Sequence, residues 1–107
     1  MNSRLKKLSE TIAEANDVFD ARYKNVDTIL GIMDQALRKQ GINADAVTVD
    51  CLRLNKKIVF LIHDDKPESV DIALGNKEGD IQSSSEYDLN KVSVAKVIDI
   101  MEDNFLP

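Results

Sequence analysis

Residues 5–37 read LKKLSETIAEANDVFDARYKNVDTILGIMDQAL. Their apolar side chains fall at Leu5, Leu8, Ile12, Ala15, Phe19, Tyr23, Val26, Leu30, Met33 and Leu37. The steps alternate three and four with one slip, a second four between Phe19 and Tyr23, which describes a seam along one face of a helix. Unbroken, such a helix is about 50 Å long at 1.5 Å per residue, whereas a compact chain of this length has a radius of gyration of about 13 Å. The spacing therefore predicts a rod that outruns its own domain. The alternative is a break into two helices, for which Asn16-Asp17 and Asn25-Val26-Asp27 supply capping residues.

The stripe widens along the seam. Before Tyr23 its flanks are mainly Arg4, Ser9, Thr11 and Asn16, the narrow profile of a coiled-coil contact; from Val26 onward Ile29, Ile32 and Ala36 broaden it into a core-facing surface. The expectation is one domain spanning 1–107, with 1–24 a projecting or wrapping helical extension. In that arrangement Leu5, Leu8, Ile12, Ala15 and Phe19 form the interface of a homodimer.

Downstream, Arg38, Lys39 and Gly41 close the helical region with cations in the last turn and a residue suited to the left-handed cap. Residues 47–52 alternate and are β-branched, Asn55-Lys56 marks a hairpin turn, and residues 58–62 are apolar without interruption, the pattern of a central strand. Residues 63–69 read as a turn, and Val70, Ile72 and Leu74 as a third strand. Residues 81–87 suit either a loop or a short edge strand. A final helix, capped by Asp88 or Asn90, carries Val94, Val97, Ile98, Met101 and Phe105 on one stripe. The predicted fold is α+β: a long N-terminal helix, an antiparallel meander of three or four strands, and a C-terminal helix packed on one sheet face.

A chain of 107 residues with 43% hydrophobic and 31% charged content suits one small domain. The longest apolar strand segment, residues 58–62, falls far short of the roughly 20 residues a membrane span needs, and no apolar segment follows the first basic residues, so the expected compartment is the cytoplasm. Cys51 is the only cysteine, which leaves no internal disulfide. The net charge is −5, and it is uneven: residues 1–40 hold seven Lys/Arg against six Asp/Glu, residues 41–107 seven against thirteen. Such an acidic second half disfavours direct nucleic-acid binding.

The lone histidine lies in His63-Asp64-Asp65 with Glu68 nearby, a set of groups able to bind a cation or move a proton. Its spacing lacks the ligand order of a calcium loop. Cys51 with His63 is a conceivable nucleophile and base, but a lone Cys in a Val-rich strand fits a small buried apolar residue better. Residues 75–79 lack the Gly-Lys-Ser/Thr ending of a phosphate loop, Ser83, Ser84 and Ser85 lack a nucleophile elbow, and Arg53, Lys56 and Lys57 lack aromatic platforms for single strands.

No catalytic residue, metal ligand or cofactor is therefore assigned. The functional expectation is a non-enzymatic protein-protein interaction module, a small acidic regulator, adaptor or chaperone, that pairs with itself and with a further protein. Asp64, Asp65, Glu78 and Asp80, placed by the two acidic turns on a shared rim, are the partner-binding candidates. Two alternatives stand beside it: a metal- or small-molecule-binding protein or enzyme built on the acidic turn near His63, and an acidic decoy for nucleic-acid-binding proteins.

Overall fold

The computed structural model describes residues 3–106, so residues 1, 2 and 107 of the expected domain lie outside the described residues. In chain order the elements are α1 (Ser3–Arg22), β1 (Ile29–Met33), α2 (Ala36–Lys39), β2 (Ala44–Cys51), β3 (Lys56–His63), β4 (Ser69–Gly75), β5 (Ile81–Asp88) and α3 (Val94–Phe105). The strands form one antiparallel sheet in the order β1-β2-β3-β4-β5, a simple meander with β3 at its centre. The architecture is α+β, with five strands where the sequence pattern predicted three or four.

The additional strand comes from the seam itself. The helix stops at Arg22, and Ile29–Met33 pairs with β2 in the register Ile29 opposite Asp50 through Met33 opposite Ala46. Neither a 50 Å rod nor a pair of helices forms. Val26, Thr28, Ile29 and Ile32 are β-branched and Gly31 favours no helix, so local preference turns to strand although the three-and-four spacing continues. After β1 the chain makes only the short α2, and Gly41 at φ +84° ends it in the left-handed conformation expected of that glycine.

The first half of the seam is core. Leu5, Ile12, Ala15 and Phe19 have no exposed surface and Leu8 retains 3%, all within a cluster that includes Val47, Val49, Ile58, Phe60 and Ile72. Val47, Phe60 and Ile72 lie opposite one another across three strands, as do Val49, Ile58 and Leu74, so α1 covers the sheet face these residues share. The narrow stripe suffices because α3 occupies the same face, contributing Val97, Ile98, Met101 and Phe105. Phe19 and Phe105 meet edge to face at 6.2 Å between centroids where the helices touch. The interface assigned to Leu5, Leu8, Ile12, Ala15 and Phe19 is thus corrected: as folded, these side chains have almost no surface to offer a second copy.

The helix ends are tied to opposite ends of the sheet. Arg4 donates to the Pro67 carbonyl at 3.1 Å, and Arg53 to the Asn25 carbonyl at 2.7 Å just beyond α1. Leu89 N–H bonds the Glu68 carbonyl at 2.8 Å ahead of α3, and Lys56 Nζ reaches the Asn104 carbonyl at 2.8 Å in its last turn. Both helices therefore run in the same direction across the sheet. Lys56 thus places a cation at the carbonyl end of a helix, where the dipole favours it. Ser93 caps α3 by accepting from Lys96 N–H at 3.1 Å, whereas Asp88 serves a short 3-10 turn through Asn90 N–H at 2.9 Å. No helix among the described residues is long and apolar enough to cross a membrane.

Phe60 is fully buried in the central strand. Phe60→Ala should cost roughly 3–5 kcal/mol in chemical denaturation monitored by circular dichroism. A loss below about 1 kcal/mol would mean that the core collapses around the gap.

Candidate functional site

In a meander successive connections alternate between the two ends of the sheet. The connection from β1 to β2 and the turn from β3 to β4 share one end, where Asp64 N–H bonds the Asn43 carbonyl at 3.0 Å. The connections from β2 to β3 and from β4 to β5 share the other, where Asn55 Nδ2 donates to Glu78 at 3.1 Å. Asp64 and Asp65 are therefore separated from Glu78 and Asp80 by the length of β4, about 20 Å for seven residues. The shared acidic rim is not formed.

At the first end the charges are organised around Arg38 on α2. Its Nε and Nη2 bond the two carboxylate oxygens of Asp45 at 3.0 and 2.9 Å, while Nη1 and Nη2 bond those of Asp64 at 2.8 Å each. One guanidinium thus grips two carboxylates, each bidentately. Asp45 is only 3% exposed at the start of β2, so Arg38 compensates a buried charge and fastens α2 to both β2 and the β3–β4 turn. Hydrogen bonds from Arg38 hold the Asp64 carboxyl below the usual carboxylate range, and the two carboxylates raise the Arg38 guanidinium still higher. Asp65 is exposed in the same turn.

His63 Nε2 lies 3.2 Å from Asp71 across the strand pair. Lys66 pairs with Glu86 at 3.0 Å, which raises the lysine. Among the described residues no three His, Cys, Asp or Glu side chains converge in a way that would hold a metal ion. The pairing of Cys51 with His63 is excluded by register: Cys51 faces Lys56 at one end of β2 and β3, and His63 faces Ala44 at the other. Cys51 is fully buried at the floor of a shallow depression shared with Asn25, Val26, Arg53 and Leu54.

At the second end Asn55, in the left-handed conformation at φ 53°, also accepts from Lys77 N–H at 3.2 Å. Asn76 donates to Asp80 at 3.3 Å and its Oδ1 accepts from the amides of Glu78 and Asp80 at 3.1 Å each. Gly75 is required there, because a Cβ would stand 2.3 Å from the Asp80 carbonyl oxygen. Glu78 and Asp80 thus shape this turn, whatever else they do.

The surface feature that sequence reasoning missed is β1. As one edge of the sheet it leaves a row of backbone groups without a strand partner, and Ile29 and Ile32 remain 53% and 44% exposed. The sequence signal was present in Ile29-Leu30-Gly31-Ile32-Met33, an apolar run interrupted only by glycine, but the helical spacing concealed it. No protein-family model, curated protein or solved structure matches the chain.

Because the Asp64 carboxyl sits below its ordinary value of 3.8, the unfolded chain takes up its proton first as pH falls. The stabilisation from Arg38 and Asp64 is present above that value and lost as pH falls through the lower folded one. Asp64→Asn should therefore flatten the acid limb of a thermal-midpoint profile. Arg38→Met should lower the midpoint at neutral pH by more than Asp64→Asn does, because it also removes the two hydrogen bonds that Arg38 gives the buried Asp45; equal effects would show that Asp45 needs no cation.

Proposed function

We propose that the chain is a non-enzymatic protein-interaction module that pairs with a second copy of itself along β1. The observation that carries this reading is the unprotected apolar edge. Natural edge strands are usually guarded by charges, proline, bulges or a covering element; β1 has no charge, no proline and regular register with β2. The other edge, β5, exposes one apolar side chain, Ile81, at its start, and then Gln82, Ser83, Ser84, Ser85, Glu86 and Asp88, all exposed, a surface that water and like-charge repulsion keep single.

The pattern of β1 favours its own antiparallel copy. With Gly31 on the two-fold axis, Ile29 meets Met33 of the second copy and Leu30 meets Ile32, so every cross-strand pair around the glycine is apolar. Such a contact is isologous and closes as a dimer, whereas β1 against β5 of another copy would propagate without closing. The paired sheet would have ten strands. An extended segment of another protein can use the same edge by strand addition in place of the second copy, which is how a regulator, adaptor or chaperone of this kind would exchange self-pairing for its further partner.

The rival readings have less support. Asp64 is held by Arg38, His63 stands against Asp71, and Glu78 is bonded by Asn55, so the groups an enzyme would use serve the fold. The separation of the two acidic turns weakens a decoy, which needs a continuous acidic face.

Sedimentation at micromolar concentration should give a dimer for the natural chain and a monomer for Ile29→Lys with Ile32→Lys, with unchanged circular dichroism. Leu8→Asp should lose the fold rather than dissociate. A natural chain that sediments as a folded monomer, or a double variant that stays dimeric, would overturn the assignment.

A further inference from the structure

A cleft of about 390 Å³ runs along the first turns of α1, between that helix and the chain at Glu68 and Leu89. Its floor is apolar, formed by Leu8, Leu89 and Val92, and three charged side chains line it: Arg4, Lys7 and Glu68. Arg4 and Lys7 are three residues apart on the helix and so share a face. Arg4 is fixed across the cleft by its 3.1 Å bond to the Pro67 carbonyl, which occupies only part of its guanidinium. Lys7 is exposed one turn further on.

The charges sum to +1 in a chain whose net charge is −5. A cationic spot above an apolar floor is selective in two respects. The cations attract an anion into the cleft, while Glu68 opposes the second charge of a dianion. The hydrophobic floor contributes only if the anion carries an apolar tail, and the volume lies within the range of small-molecule sites. We propose that this cleft binds a small amphiphilic monoanion, a free carboxylate on an aliphatic or aromatic tail, with Arg4 and Lys7 holding the carboxylate and Leu8, Leu89 and Val92 receiving the tail. The site lies beside α1 and β4, and its occupancy does not depend on pairing through β1.

Titration of the 107-residue chain, followed by amide chemical shifts, tests this with octanoate, octanol, octylamine and inorganic phosphate as probes. Octanoate should give saturable shifts at Lys7, Glu68 and Leu89, while octanol, octylamine and phosphate bind at least ten-fold more weakly. Lys7→Gln, an exposed substitution that leaves the core intact, should weaken octanoate about ten-fold, the loss expected for one charge-assisted contact. Equal affinity for octanol or octylamine would show an apolar groove without anion recognition and overturn the proposal. Preferential phosphate binding, unchanged octanoate affinity in Lys7→Gln, or saturable shifts only outside the cleft would do the same.

Discussion

The contact between one stripe of α1 and one face of the sheet is the constraint on which this structure depends. The three inner strands of the antiparallel sheet present Val47, Val49, Ile58, Phe60, Val70 and Ile72 on a common face, buried to within a few per cent. The 12 residues of α3 span about 18 Å and cannot cover that face alone. The 20 residues of α1 span about 30 Å and lie beside α3 in the same direction. Removing the stripe would expose both layers together, so the helix that the sequence suggests as an attachment for another chain is used by its own.

Spacing located the apolar residues of α1 correctly and failed only to say what they pack against. A repeat of three and four is satisfied equally by a partner helix and by a sheet face, and nothing within residues 5–19 distinguishes the two. The second half of the seam contained a distinguishing signal in its composition: β-branched residues around Gly31 outweigh a periodicity that a short apolar run produces by chance. The uninterrupted run at residues 58–62 was legible as the central strand, although only Ile58, Phe60 and Ile62 are buried beneath the helices and Val59 and Leu61 lie half-buried on the opposite face. Residues 81–87 were ambiguous because an exposed edge strand has little buried face to impose alternation, and between Ile81 and Tyr87 β5 is polar throughout.

The charged sites were legible as residues but not as an arrangement. An antiparallel meander sends consecutive turns to opposite ends, so the predicted topology already separated Asp64 and Asp65 from Glu78 and Asp80. The grip of Arg38 on Asp45 and Asp64 was hidden more deeply, since it joins residues that only the fold brings together and Arg38 first reads as a helix-closing cation. The electrostatic effect is to convert part of an acidic surface into internal fastening, while the apolar edge of β1 stays exposed.

The central claim is that the α1 stripe is internal and the β1 edge external. Hydrogen exchange of backbone amides measured over a range of protein concentrations tests both halves at once, because pairing protects only the groups it covers. The account predicts slow, concentration-independent exchange in the middle of α1, fast exchange in the outer amides of β5, and protection within Ile29–Met33 that grows as the chain is concentrated. Protection in α1 that rises with concentration while β1 stays unchanged would contradict it and return the interface to the helix.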